Sequence, residues 1–113
     1  MVEETIDRAA FASLQETAGT EFVRELVGTF LDEAPRMLDD LRDALTNEDA
    51  ERLRRAAHSL KSNANTFGAA ALARLARELE LGGMMFARGS AALDDLTGEY
   101  RRVAQALTEL SRA

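Results

Sequence analysis

Apolar residues recur at steps of three and four along most of this 113-residue chain, which is the spacing of one face of an α-helix. The pattern runs from Phe22 to Leu45 and again from Leu93 to Leu110. No stretch alternates with the two-residue period of a β-strand, and the chain contains a single proline. The sequence therefore predicts an all-α protein.

Capping and breaking residues divide this pattern into helices. Thr20 is a candidate N-cap for the first long helix, and Asn47 for the second, which is predicted over about residues 48–66. Gly68 ends that second helix, and residues 82–83, both glycine, end the third before a loop at residues 84–86. Ser90 is placed to cap the last helix.

A short helix at about residues 7–15 precedes the four long ones. Short connections between long amphipathic helices favour antiparallel neighbours. We therefore predict a single domain over residues 1–113, an antiparallel up-down four-helix bundle with a short extra N-terminal helix.

Composition excludes several classes of function. The chain has no cysteine and one histidine, so disulfides, thiolate nucleophiles and ordinary zinc sites are excluded. The net charge of -6 argues against nucleic-acid binding. No apolar run approaches the roughly 20 residues that span a bilayer, and no signal peptide is visible, so we expect a cytoplasmic protein without membrane contact. We expect it to be a monomer.

The positive charge is concentrated in one segment. Residues 52–77 contain six basic side chains and no acidic one, and the sole histidine, His58, and sole lysine, Lys61, lie within it. An acidic protein with one basic segment suggests an anionic ligand or an acidic partner. An alternative is a solvated helix face on which basic residues cluster by chance.

The predicted inner stripe of the second long helix consists of Leu53, Ala56, Ala57, Leu60 and Ala64. Helical geometry places His58 on the outside of the bundle, about 140° around the helix from Leu53. Residues three, four and seven positions away project near the ring: Arg54, Lys61, Ser62 and Asn65. Nearby positive charge favours neutral imidazole, the nucleophilic form, and would stabilise an attached phosphoryl group. From the residues alone, an ordinary exposed histidine beside ordinary exposed bases remains the favoured alternative.

The chain carries no other catalytic arrangement. The glycines lack the spacing of a phosphate-binding loop. Carboxylate pairs such as Asp39 with Asp40 and Glu78 with Glu80 do not project side by side on a helix, so we interpret them as solvated surface. A nucleophile paired with a base would need a second histidine or a cysteine. We therefore expect no kinase or ATPase activity.

The segment around His58 resembles the signature of histidine-containing phosphotransfer (HPt) domains. The matching residues are Ala57-His58-Ser59-Leu60-Lys61-Ser62, then Phe67-Gly68-Ala69, and finally Leu79-Glu80. An upstream stretch from Phe30 to Pro35 is also similar to the family, so the resemblance covers nearly the whole chain.

The resemblance implies that His58 accepts a phosphoryl group from, and returns it to, the aspartate of a response-regulator receiver domain. It implies that Lys61 assists the phosphoryl group and that Ser62, where the family often has glycine, leaves room for the receiver. The expected docking surface comprises Arg54, Arg55, Ser62, Asn65 and Gly68. No cofactor is expected on this domain, because the receiver supplies Mg²⁺.

Receiver domains and a hybrid sensor histidine kinase are the expected partners. The domain could be a free-standing shuttle or one part of a hybrid kinase. Two other functions stay open: a helical adaptor that docks receivers or other proteins without carrying phosphate, and the phospho-accepting domain of a chemotaxis-type histidine kinase.

Overall fold

The computed structural model describes residues 4–112, and five helices account for almost all of them. The all-α prediction is confirmed. The helices are α1 (Arg8–Ala18), α2 (Thr20–Thr46), α3 (Ala50–Thr66), α4 (Ala70–Gly89) and α5 (Ala92–Arg112). None of the helices in this part of the chain combines the length and the apolar character that crossing a membrane requires.

Helices α2 to α5 form the predicted antiparallel four-helix bundle. Arg88 near the end of α4 pairs with Glu48 just before α3, at 2.6 Å. Arg24 near the start of α2 donates to the carbonyl of Ser111 at the end of α5, at 2.9 Å. Because each contact joins the end of one helix to the beginning of another, the helices alternate in direction, and α5 returns to close the bundle against α2.

The core is a continuous apolar cluster that includes three neighbouring aromatic rings. The ring of Phe30 lies 5.4 Å from that of Phe67 and 5.9 Å from that of Tyr100. Burial and the negative charge of Asp32 raise the pKa of the Tyr100 hydroxyl. The predicted inner stripe of α3 is confirmed, because all five of its members are buried: Leu53, Ala56, Ala57, Leu60 and Ala64.

One expected core residue of α2 points outward. Phe22 is 52% exposed, whereas Val23 and Val27 are buried. The helix starts at Thr20, so the valines continue the inner stripe of Phe30 toward the N-terminus. The sequence pattern placed Phe22 on the inner face because Phe22 and the two valines are all apolar, so the pattern alone does not decide which of them is buried.

The predicted N-caps at Thr20 and Asn47 are wrong. Thr20 is the first residue of α2 and follows Gly19. Asn47 instead ends α2, since its side-chain amide donates to the carbonyl of Asp43 at 2.9 Å. The cap of α3 is Asp49, whose carboxylate accepts the backbone N–H of Arg52 at 3.0 Å.

Helix α4 is interrupted at the predicted place but does not end there. Gly83 has φ 72° and ψ -164°, a conformation that breaks the helix. Residues 84–86, predicted as a loop, return to helix because a single left-handed residue is enough to redirect the chain. Ser90 accepts the backbone N–H of Ala92 at 3.2 Å, as expected for the cap of α5.

Gly68 joins the bundle to α1. Its φ of +75° lies in the left-handed region, which ends α3 at little steric cost for glycine. Its carbonyl accepts the N–H of Asp7 at 2.8 Å, and Asp7 in turn caps α1. A Cβ at this position would lie 3.0 Å from that of Ala10. The glycine therefore determines both where α3 ends and where α1 packs against the bundle.

We expect Gly68→Ala to lower the free energy of unfolding by about 2 kcal/mol, because it combines an unfavourable φ with a tight contact to α1. Urea denaturation of the two proteins measures the difference. The matched control is Gly28→Ala on the exposed face of α2, where an added Cβ meets nothing within 4 Å. This control should raise stability by roughly 0.5–1 kcal/mol. Equal stability of Gly68→Ala and wild type would contradict the assigned role.

Candidate functional site

His58 lies on the outer face of α3, as the helical geometry predicts. Its side chain is 55% exposed, although its neighbour Ala57 is fully buried. The inner stripe of α3 fixes this orientation because rotating the helix to bury His58 would expose that stripe. The ring is therefore open to a docking partner.

A carboxylate from α4 reaches the ring. Nδ1 of His58 contacts Oε2 of Glu80, and the other oxygen of the same carboxylate accepts a hydrogen bond from Nζ of Lys61 at 2.6 Å. The side chain of Glu80 is only 10% exposed, compared with 23% for Lys61. The three side chains form one connected group, here called the His58–Glu80–Lys61 triad, with its exposed end at the imidazole.

The electrostatics of the triad determine where its protons lie. The hydrogen bond from Lys61 lowers the pKa of the Glu80 carboxyl, the contact with His58 lowers it further, and burial opposes both. The carboxyl is therefore ionised at neutral pH. An ionised carboxylate can only accept hydrogen bonds, so in neutral imidazole Nδ1 carries the proton and Nε2 carries the lone pair.

The triad leaves Nε2 as the available nucleophile. The two ring nitrogens face different directions, and Glu80 contacts the one that carries the proton. In the part of the chain that the structure describes, no hydrogen bond involves Nε2. The ring thus presents a lone pair to solvent from a fixed orientation.

The expected positive surroundings of His58 are partly neutralised. Arg54 donates to both oxygens of Glu51, at 2.5 and 3.2 Å, and Arg55 lies 4.0 Å from the same carboxylate. Glu51 stands directly before the basic segment, and its bond raises the pKa of Arg54. Instead of being bordered only by cations, the ring is in direct contact with a carboxylate.

The other predicted docking residues fall into two groups. Ser62 and Asn65 are exposed farther along α3, and Asn65 borders a shallow groove whose far side is formed by Arg74 and Arg77 of α4. Gly68 is half-buried against α1 and contributes to the fold at that place. These contacts explain why glycine occurs at this position, and its predicted part in docking stays a prediction.

Glu80 is the functional residue that the sequence reasoning missed. Its spacing from Glu78 indicated a solvated surface carboxylate, and this interpretation is wrong because its side chain is only 10% exposed. The turn at residues 67–69 reverses the chain between α3 and α4, which rise by the same distance per residue. Glu80 follows Ala69 by as many residues as His58 precedes it, so the two residues lie at the same level of the helix pair. Counting outward from the turn would have paired the two residues.

The structure offers no metal site within residues 4–112, where no three potential ligands of the His, Cys, Asp or Glu type come together.

Comparison with known proteins identifies the class to which this fold and site belong. The family model of the Hpt domain matches residues 25–113. The chain is 36% identical to the phosphorelay protein LuxU of Vibrio vulnificus over 77 residues, which cover 68% of this chain and 67% of LuxU. It is 30% identical over 78 residues to the sensor protein TorS of Escherichia coli K12, covering 69% of this chain and only 8% of TorS.

A solved structure agrees over the whole fold. The crystal structure of histidine-containing phosphotransfer protein B (HptB) from Pseudomonas aeruginosa PAO1 superposes with a TM-score of 0.85 and 28% identity. The match covers 98% of this chain and 97% of that one. The chain belongs to the Hpt family. It is a phosphotransfer protein of the phosphorelay type, a phosphocarrier and not a kinase, and proteins of this type partner with receivers and hybrid kinases.

The lowered pKa of the Glu80 carboxyl predicts how the free energy of unfolding depends on pH. A depressed carboxyl pKa stabilises the fold above the unfolded value of about 4.3, and this contribution disappears as the pH falls through the lower folded value. Between about pH 5 and pH 3 wild type should therefore lose more stability than Glu80→Gln, which has no proton to take up there. Urea melts across this range provide the measurement, with Glu78→Gln on the exposed face of α4 as the control. Parallel curves for wild type and Glu80→Gln would contradict the assignment.

Proposed function

We propose that His58 is the phosphorylated residue and that its Nε2 exchanges the phosphoryl group with the aspartate of a receiver domain. The observation that carries the proposal is the exposed imidazole whose other nitrogen is held by an ionised, largely buried carboxylate. An exposed histidine without a function has no need of a buried partner. The fixed tautomer supplies the nucleophile that the reaction requires.

The transfer needs no cofactor on this domain. The lone pair of Nε2 attacks the phosphorus of a receiver aspartyl phosphate, the bond from phosphorus to the aspartate oxygen breaks, and its electron pair leaves with the carboxylate. The reverse reaction returns the phosphoryl group to an aspartate. We propose that the receiver brings Mg²⁺, which would supply charge neutralisation for the transferred group.

Lys61 is proposed to assist the phosphoryl group. It lies one turn after His58 on α3, and its ammonium is held beside the ring by the same carboxylate that holds Nδ1. A compact, mobile ammonium can approach the transferred group without leaving the triad. Its contribution should be largest when charge is shared between the two domains.

The proposed docking surface is the exposed side of α3 around His58, formed by Arg54, Arg55, Ser62 and Asn65. Its partners are a receiver domain and a hybrid sensor kinase. Ser62 supports this placement because its small, exposed side chain adds little bulk beside the ring. We propose a cytoplasmic monomer that binds neither nucleic acid nor membrane, in keeping with its net charge of -6.

The first test is the site itself. Wild type incubated with a phosphorylated receiver should take up label that acid removes and alkali preserves, as a phosphoramidate does. His58→Gln should take up none, and ATP alone should label neither protein. Label retained by His58→Gln would refute the assignment, and it would favour docking of the receiver without transfer to this histidine.

The second test separates transfer from docking. Lys61→Ala should slow transfer by about tenfold or more with little loss of receiver affinity, because the ammonium acts mainly on the shared phosphoryl group. Ser62→Leu should weaken docking by bulk while leaving the triad intact. Ser13→Leu, the same enlargement at an exposed site of α1, is the control. Stopped-flow transfer and binding titrations measure both quantities. Equal losses in rate and affinity for both α3 variants would show that the roles are wrongly divided.

A further inference from the structure

We infer that Glu80 keeps the proton on Nδ1 of phosphorylated His58, and so maintains the phosphohistidine in the form that readily gives up its phosphoryl group. The inference rests on the proposed function and extends it. Glu80 would then act as a positioning residue that influences how far the phosphoryl group moves on to the next receiver.

The electron balance of the reaction defines what Glu80 must do. Neutral imidazole enters with a proton on Nδ1 and a lone pair on Nε2. When Nε2 forms its bond to phosphorus, the ring becomes a cation that still carries the Nδ1 proton. When that bond breaks, its electrons return to Nε2 and a neutral imidazole leaves. No proton moves in either direction as long as Nδ1 keeps its own.

Loss of the Nδ1 proton would change the leaving group. The phosphorylated ring would become neutral, and breaking the bond from nitrogen to phosphorus would then expel an imidazolide anion. That anion is far more basic than imidazole and leaves poorly. A phosphohistidine without the Nδ1 proton is therefore stable and slow to transfer its phosphoryl group.

The charged groups around the ring favour retention of the proton. The Glu80 carboxylate from α4 is in direct contact with Nδ1 and stabilises a ring cation there. On α3, Lys61 opposes this, but its ammonium lies against the far oxygen of Glu80. Arg54 is paired with Glu51.

Helix α2 adds no competing charge at the ring. Its two carboxylates that face α3, Asp40 and Asp43, pair with Arg52 at 2.6 and 3.7 Å. Helical geometry places Arg52 about 120° around α3 from His58. Glu80 is thus the dominant charge at Nδ1.

The decisive variant is Glu80→Gln, which retains an oxygen to accept the Nδ1 hydrogen bond and removes the negative charge. Its phosphorylated ring should lose the proton at lower pH than that of wild type. At about pH 8 transfer to a receiver should be slower by about tenfold, which corresponds to a shift of one pKa unit in the ring. Near pH 6, where both rings keep the proton, the two rates should converge.

The experiment loads each protein with phosphoramidate, so that loading does not depend on a receiver. Excess unphosphorylated receiver is then added, and the rate and extent of transfer are followed from pH 6 to pH 9. Division by the wild-type rate at each pH removes the titration of the receiver itself. Glu78→Gln, which changes an exposed glutamate of the same helix, should give a ratio near one throughout.

A spectroscopic readout distinguishes charge from a structural effect. His58 is the only histidine, so ¹⁵N signals of the imidazole belong to one residue. Titration of the phosphorylated proteins should show the Nδ1 proton retained to higher pH in wild type than in Glu80→Gln. A rate loss that is the same at every pH, or identical ring titrations, would overturn the inference and leave the proposed function intact. Wild type that cannot be labelled on His58 would overturn both.

Discussion

The packing of α3 against α4 determines where every functional side chain lies. Alanines on both sides of this contact, such as Ala57, Ala64 and Ala76, are completely buried and allow the two helices to approach closely. The tight reversal at Gly68 sets the register of the pair. With this register fixed, a carboxylate on α4 meets the imidazole and the ammonium on α3 without any loop or mobile segment. The reactive group is thereby placed on two rigid helices, which is the most precise support that a small bundle offers.

The triad gives the two ring nitrogens of His58 different surroundings: Nδ1 is held by Glu80, whereas Nε2 is left open. Glu80 is largely buried and hydrogen-bonded, so it stays ionised and holds Nδ1. Nε2 faces solvent, where a partner can approach. On the proposed function the phosphoryl group arrives at and leaves from Nε2, and a proton-bearing Nδ1 lets the ring leave as neutral imidazole. The acidic chain concentrates its positive charge near this site, although Glu51 neutralises part of that charge.

Local patterns predicted the helices and the exposure of His58, whereas the contacts of the site required the tertiary arrangement. The inner stripe of α3 follows from the helical period alone, and its burial fixed the outward direction of the histidine. The caps at Thr20 and Asn47 were misplaced because several capping residues stand together at each boundary. Glu80 lies 22 residues from His58 and is brought to it only by the hairpin, so no local pattern points to it. Gly68 was recognised as a helix end, but its contact with α1 depends on a long-range hydrogen bond.

The central claim is that Glu80 holds Nδ1 and that the phosphoryl group therefore forms its bond to Nε2 of His58. The most direct measurement is the position of the phosphorus on the ring, from long-range ¹H–¹⁵N correlations and ³¹P couplings of the phosphorylated, ¹⁵N-labelled protein. The single histidine makes the assignment unambiguous. The account predicts phosphorus on Nε2, with Nδ1 still protonated. Phosphorus on Nδ1, or on any residue other than His58, would contradict it.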